Sequence, residues 1–358
     1  MRSVLFVFNH PAFYKVRLLN SLCQDFDLSV IFERDKNKDR NKQFYFEEKY
    51  LFKNIQIKGL KLGKENIVSN GIVKTLKNNK YDLVVMNGYS TFAEMKAIRY
   101  LKKHNIKYCF YINGGIIKPH ELALKRAIKK SFIKGADFYM SPDANSNKYL
   151  EYYGADKNKI ITYPYSTVFE NEILAHPLTK DEISQRRIKL GLEAKYIYVS
   201  CGQLIHRKNY LSLIRSWPKD KDKLLLIIGE GKEKQTIVDY LCKNKVKNIK
   251  LLGYLSREEE FKYYQLADAF VFPSKEDIYG HVINEAMSQG LPVISTTNVN
   301  SSKKLIIEGV NGLLIKDLKE IPESLEKVVY FDKEKSLEIA RDNTIEKMHD
   351  IHIKAFSK

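Results

Sequence analysis

No window of this 358-residue chain approaches the roughly 18 consecutive apolar residues that a bilayer-spanning helix needs. Cysteine is scarce. Cys23, Cys109, Cys201 and Cys242 stand far apart, at neither disulfide-framework nor metal-ligand spacing, and read as free thiols of a reducing compartment. No cluster of His, Cys and Asp has the spacing of a metal site, so no catalytic metal is expected. The first loop carries no G-x-G-x-x-G, which argues against a dinucleotide-dependent redox enzyme. No internal repeat stands out. The opening MRSVLFVFNHP is too short for a secretion signal, has no small-residue cleavage site and reads as a first strand. The expected location is cytoplasmic, with the inner face of the membrane as the alternative.

What is present fits two α/β domains, since the chain is too long for one ordinary core. The net charge of +18 is unevenly spread. Residues 1–170 hold 30 Lys/Arg against 16 Asp/Glu, and the remainder 31 against 27. The N-terminal half therefore carries most of the positive field, which suits nucleic acid, an anionic membrane face or a phosphate-bearing substrate.

Strands are expected at 2–8, 27–32, 55–57, 81–86, 107–112, 137–140 and 160–162, with helices between, the order of a doubly wound parallel sheet. The polar run 34–43 reads as an exposed loop. By the switch-point rule the loops Asn9-His10, Asn87-Gly88-Tyr89 and Asn113-Gly114-Gly115 face one crevice. His10, Asn113, Gly114 and His120 are the candidate residues for an acceptor. In PHELALKRAIKKSFIKGAD, Leu124, Ile128 and Phe132 form a stripe flanked by Lys125, Arg126, Lys129, Lys130 and Lys134. Such a helix either packs its stripe on the sheet or lies on an anionic membrane surface. A capping box at 179–182 opens a charged helix in what looks like an interdomain connector.

The second half repeats the βα pattern from Tyr196 on. Its most informative stretch is AFVFPSKEDIYGHVINEAMSQGLPVIST, 269–296: a buried strand, an acidic loop, a helix from about His281, and a second strand after Gly290 and Pro292. Asp277 and Glu285 flank the helix start, whose amides are expected to point outward as an anion site. An anion cradle with a carboxylate on each side suits a ligand that is part phosphate and part polyol, such as a sugar nucleotide. Upstream, Arg207 and Lys208 follow the first strand of this half, with Gly202 allowing close backbone approach. Arg as a fork and Lys as a point charge suit a diphosphate. Gly229 lies in a further loop, Gly229-Glu230-Gly231, of a kind common in α/β turns. Glu285 can accept two hydrogen bonds from a ribose diol. Paired carboxylates also serve glycoside hydrolysis, although nothing in the sequence gives that geometry.

The run P-S-x-x-D-x-Y-G-x-V-x-x-E-A-M-x-x-G-x-P-V-I, with G-Q-L-x-x-R-K-N, I-G-E-G and L-L-G-Y-L before it, resembles the donor-binding signature of retaining glycosyltransferases of family 4, which have the GT-B fold. The resemblance covers about 197–315 well and the first half more loosely, through H-P-A-F-Y-K-V-R-L-L-N-S-L and Y-P-Y-S. It implies two Rossmann-like domains facing a central cleft: 1–170 for the acceptor, 171–342 for the donor, and a helix over 343–358 crossing back to the first. It further implies metal-independent transfer with retention and no cofactor. The donor is a nucleotide-sugar, with a UDP-sugar leading. The acceptor is a glycan or lipid-linked molecule of cell-surface polysaccharide, capsule or lipopolysaccharide synthesis.

Carried over by residue, Lys208 holds the diphosphate, Asp277 the sugar hydroxyls and Glu285 the ribose. Tyr279, Gly280, His281 and Val282 contact phosphate, and Gly202, Gln203, Gly229 and Tyr254 line the donor. Gln203 stands where the family has Arg, so Arg207 is expected to supply the missing cation. Asp277 stands for a Glu and is one methylene shorter. The alternatives are another GT-B enzyme, such as a nucleotide-sugar epimerase, and a basic nucleic-acid-binding protein. The second leaves the 197–315 motifs unexplained, so no nucleic-acid partner is expected.

Overall fold

The structure is a computed structural model that describes residues 1–35, 49–62, 66–118 and 120–357. The loop expected over 34–43 lies outside the described residues from 36 onward. The chain divides into two compact units. One comprises Met1–Tyr165 with Ile345–Lys358, the other Ser166–Thr344.

The first unit is built on the strands β1 (Arg2–Phe8), β2 (Phe26–Phe32), β3 (Lys53–Gln56), β4 (Leu60–Leu62), β5 (Asn66–Val68), β6 (Leu83–Met86), β7 (Tyr108–Tyr111), β8 (Phe138–Ser141) and β9 (Ile160–Thr162). Seven of them form one parallel sheet in the order β3-β2-β1-β6-β7-β8-β9. The central strands read as near-continuous apolar runs because helices cover both faces, so both side-chain directions are buried. The antiparallel pair β4–β5 was not expected. Leu60 and Val68 in it are exposed, so it lacks the half-buried alternation that marks a strand in sequence.

The terminal helix, Ile345–Phe356, belongs to this unit. Its buried stripe is Ile345, Met348, His352, Ala355 and Phe356, with Ile351 only half-buried. The Phe356 ring meets Phe6 at 5.7 Å and Phe26 at 5.9 Å edge-on, and Phe138 at 6.3 Å. His352 lies between Tyr111 and Tyr163, and burial pushes its imidazole down to about 4, so it is a neutral core residue at physiological pH.

The second unit holds β10 (Tyr196–Cys201), β11 (Lys223–Ile228), β12 (Ile249–Gly253), β13 (Ala269–Phe272), β14 (Val293–Thr296) and β15 (Gly312–Ile315), all parallel, in the order β12-β11-β10-β13-β14-β15. The strand order reverses between β10 and β13, and in sheets of this kind ligands bind at the carboxyl ends of the strands at such a reversal. Apolar clusters fill both faces, one around Val199, Phe270 and Met287, the other around Tyr198, Trp217 and Ile294.

Phe356 is fully buried among aromatic partners, so Phe356→Ala is expected to cost about 3–5 kcal/mol. Urea unfolding of the full chain measures it. A cost below 1 kcal/mol would mean the helix is dispensable to the core.

Candidate active site

In the second unit the loops after β10 and β13 are stitched together by backbone. The Lys275 amide donates to the Arg207 carbonyl at 2.9 Å, and the buried Ser274 hydroxyl donates to the carbonyls of Arg207 at 3.2 Å and Glu276 at 3.0 Å. Lys208 ends a single 3-10 turn (His206–Lys208), after which Asn209 turns the chain with φ of 65°. This turn buries the Lys208 stem with its ammonium 4.4 Å from the centre of the Phe272 ring.

The Lys208 ammonium donates to Asp277 Oδ2, and Arg207 Nη1 lies 3.5 Å from the same oxygen. Burial works against the Asp277 charge, but Lys208, then Arg207 and the Tyr279 amide, hold the carboxyl below its ordinary value. Burial also pulls Lys208 below its ordinary value, more than Asp277 restores it. The three residues assigned to diphosphate and sugar are thus together, and they are paired with one another. Arg207 is half-exposed and its Nη1 donates to the Glu276 carbonyl at 2.8 Å.

The expected row of outward amides is partly used. The Asp277 amide donates to the Asn298 carbonyl and the Tyr279 amide to the Asp277 carboxylate. Gly280 and Val282 remain, their amides making no hydrogen bond among the described residues. The helix that follows, Val282–Met287, has under two turns, so local amides rather than a long axial dipole carry any attraction for an anion.

Glu285 is buried on that helix, and its Oε1 accepts from Thr167 Oγ1 at 2.6 Å and Arg257 Nη1 at 2.9 Å. The same guanidinium binds Glu172 through Nε at 2.9 Å and Nη2 at 3.3 Å, and the Thr167 carbonyl through Nη2 at 3.0 Å. Beside this network Cys201 donates its thiol to Glu260 Oε1 at 3.1 Å. Burial, then the Glu285 charge, push the Glu260 carboxyl up to about 7.

The glycines act first between loops. A Cβ on Gly229, whose φ is +138°, would lie 2.0 Å from the Gly202 carbonyl oxygen, and one on Gly202 would lie 2.9 Å from the Tyr210 hydroxyl. Gly202 therefore serves the packing of its own loop against the next one, a reason the sequence did not show. Gln203 and Tyr254 are half-buried at the carboxyl ends of β10 and β12, and burial followed by Glu260 and Cys201 raises the Tyr254 phenol. Tyr279 is buried with its ring 5.1 Å from that of half-buried His281.

In the first unit, His10, Asn87 and Asn113 follow β1, β6 and β7, which are neighbours across that sheet's own reversal point. Asn113 Nδ2 reaches Asn87 Oδ1 at 3.5 Å, and Gly114 turns the chain with φ of +143°. His120 is exposed. Sequence reasoning missed the buried acids here. Thr91 Oγ1 donates to Glu33 at 2.7 Å and accepts from the Glu94 amide at 3.1 Å. Burial, then Glu94, raise Glu33.

Arg257, Thr167, Glu172 and Glu260 were also missed. One signal existed: Arg257 occupies the first position of its helix, where the dipole disfavours a cation, so an acidic partner was to be expected.

Residues 182–347 match the family described as glycosyl transferases group 1. The chain is 30% identical over 244 residues to the uncharacterized glycosyltransferase MJ1178 of Methanocaldococcus jannaschii, covering 67% of this chain and 64% of that protein. It is 27% identical over 183 residues to the capsular polysaccharide biosynthesis glycosyltransferase CapM of Staphylococcus aureus, covering 49% and 47%. The chain thus spans less than two thirds of these relatives. Among solved structures, Anabaena HepE in complex with UDP superposes with a TM-score of 0.75 at 16% identity over the whole of both chains. The fold is that of the GT-B glycosyltransferases.

Glu260 gives a pH test. Its carboxyl ionises near 4.5 ordinarily and about 7 in the fold, so the folded state holds the proton longer. The stability present below pH 4.5 is then lost as pH rises through 7. Glu260→Gln removes that loss and is expected to gain stability relative to the parent between pH 5 and 8, by on the order of 2 kcal/mol. Parallel melting curves against pH would contradict the assignment.

Proposed function

We propose that the chain is a retaining glycosyltransferase that moves a sugar from a nucleotide-diphosphate sugar, a UDP-sugar first among candidates, to a hydroxyl of a glycan or lipid-linked acceptor in cell-surface polysaccharide synthesis. One observation carries the reading. Two cations, a buried carboxylate and two unpaired amides converge on the reversal point of the second sheet, inside the segment that matches the glycosyltransferase family. Solved neighbours with this fold include HepE bound to UDP and to UDP-glucose.

As the anomeric C–O bond breaks, negative charge grows on the diphosphate and positive charge on the sugar. Lys208 and Arg207 then bind a stronger anion than Asp277, and the free amides of Gly280 and Val282 add hydrogen bonds. These cations do what a metal would otherwise do, so transfer needs no metal and no cofactor. Asp277, released from Lys208, accepts from sugar hydroxyls, and Glu285 from the ribose. The leaving phosphate takes the acceptor proton on the same face of the sugar.

The partner surface on the first unit is an anionic membrane. The helix Ala123–Ile133 buries only Phe132 and Ile133 of its apolar residues, and leaves Leu124 73% and Ile128 44% exposed, with Leu122 before it 67% exposed. The stripe is therefore split: Phe132 packs in the core, while Leu124 and Ile128 at the start of the helix are left uncovered. Lys118, Lys125, Lys130 and Lys134 are exposed around it. Apolar tips ringed by lysines suit a headgroup layer. Among the described residues no helix is long and apolar enough to cross a membrane.

A thermal-shift screen of UDP-, GDP- and ADP-sugars should raise the melting temperature with the true donor. With that donor and an extract of lipid-linked acceptors, Lys208→Ala and Glu285→Ala should each lower transfer at least about 100-fold. Wild-type turnover in either would remove the site assignment. Turnover lost to a metal chelator would refute metal independence, and release of a rearranged sugar without acceptor would select an epimerase. In co-sedimentation, vesicles containing phosphatidylglycerol should bind the chain and phosphatidylcholine vesicles should not. Leu124→Glu with Ile128→Glu should abolish the binding, and equal binding of the double variant would exclude this surface.

A further inference from the structure

We propose that Arg257 and Thr167 are positioning residues that fix the Glu285 carboxylate for a ribose diol, and so set how strongly the site distinguishes a ribonucleotide from one lacking its hydroxyls. The inference rests on the reading that Glu285 takes the donor ribose, and it adds what makes Glu285 able to do so.

Glu285 is presented on a helix of only six residues, and a glutamate has three side-chain torsions to fix. Its Oε1 is held by two donors that approach from different elements. One is the Thr167 hydroxyl, fully buried in the segment that enters this unit. The other is Arg257 Nη1, at the start of the helix after β12. Oε2 has no partner among the described residues, so one oxygen is anchored and its twin is left for a ligand. A carboxylate held in this way offers its free lone pairs at a fixed place and loses no torsional freedom on binding.

Arg257 is itself fixed. Glu172 takes it as a fork, the Thr167 carbonyl takes Nη2, and the guanidinium lies 4.6 Å from the Phe261 ring centre. Glu172 is pinned in turn by the Phe169 amide at 2.8 Å, and the Glu172 carbonyl accepts from Gln289 Nε2 at 2.8 Å. The order of support runs from Glu172 to Arg257 to Glu285. A surface ion pair would have no such chain of fixed donors.

The neighbour of Glu285 is tied to the same places. Asn284 Nδ2 donates to Ser166 Oγ at 3.1 Å and to the Asn343 carbonyl at 2.8 Å, at the two points where the chain passes between its units. The first turn of this helix is therefore anchored by backbone segments far from it in sequence, which keeps Glu285 from shifting with its helix.

The test uses the full chain and isothermal titration with UDP, GDP and ADP, each beside its 2′,3′-dideoxy counterpart. Hydrogen bonds to a charged group predict that the wild type prefers the favoured ribonucleotide by about 10–100-fold. Glu285→Gln should lose most of that preference. Thr167→Val keeps the shape and removes one donor, and should lower the preference a few-fold. Arg257→Gln with Glu172→Gln removes the support at unchanged net charge, and should bring it to about three-fold or less. Arg257→Lys should restore part of it.

The Thr167 and Arg257 variants should keep the dideoxy affinity within about two-fold. Absence of any preference in the wild type would overturn the ribose reading and this inference with it. A preference that Glu285→Gln loses but Thr167→Val and the double variant keep would overturn the inference alone. So would an equal loss of affinity for both ligands, because that is what a merely structural role produces.

Discussion

The ion pair between Lys208 and Asp277 is the constraint on which the second unit's ligand face depends. It joins the loop after β10 to the loop after β13 where the strand order reverses and no ladder hydrogen bonds can join them. Without Asp277, the buried Lys208 ammonium would lose the carboxylate that compensates it, at a cost of several kcal/mol. The Ser274 hydroxyl and the Lys275 amide, both donating to the Arg207 carbonyl, bring the loops to this separation, and the charges complete the closure. Under the proposed function a diphosphate would take the place of Asp277 on Lys208 without leaving the ammonium bare, and the freed carboxylate would have lone pairs for hydroxyls.

Much of the frame was legible because parallel strands covered on both faces are runs of Val, Ile, Leu and Phe. In the first sheet Arg2–Phe8 and Ile160–Thr162 match their expected limits, and the other strands shift by a residue or two at their ends. The β4–β5 pair was not legible, because its exposed leucine and valine break the alternation. On the terminal helix Ile351 is only half-buried, and the core takes His352 instead. A histidine with one nitrogen bonded to the Met348 carbonyl can be buried neutral, which a hydropathy pattern does not anticipate.

The site divides along the same line. Asp277 and Glu285 stand in one short run about a helix start, and Lys208 in another after β10, so each was legible in its own motif, although Lys208 and Asp277 lie 69 residues apart and the fold pairs them. Thr167 lies 118 residues from Glu285 and Arg257 lies 28 residues away, and only the fold brings them to one oxygen. Glycine was legible as a need for space but not as to whose space. Gly202 and Gly229 make room for each other's loops before any ligand arrives.

The two networks of the second unit divide the work by charge. At Lys208 the cations exceed the carboxylate, since Arg207 and Lys208 share Asp277, and the surplus is positive where an anion would sit. At Arg257 the carboxylates exceed the cation, since Glu172 and Glu285 share one guanidinium, and the surplus is negative where a diol would donate. Under the proposed function this polarity would suit a nucleoside diphosphate, with its phosphates at the cations and its ribose at Glu285, and a reversed ligand would set phosphate against a carboxylate, a like-charge contact that disfavours that pose. The near balance of charge in residues 171–358 thus conceals local surpluses of opposite sign at these two places.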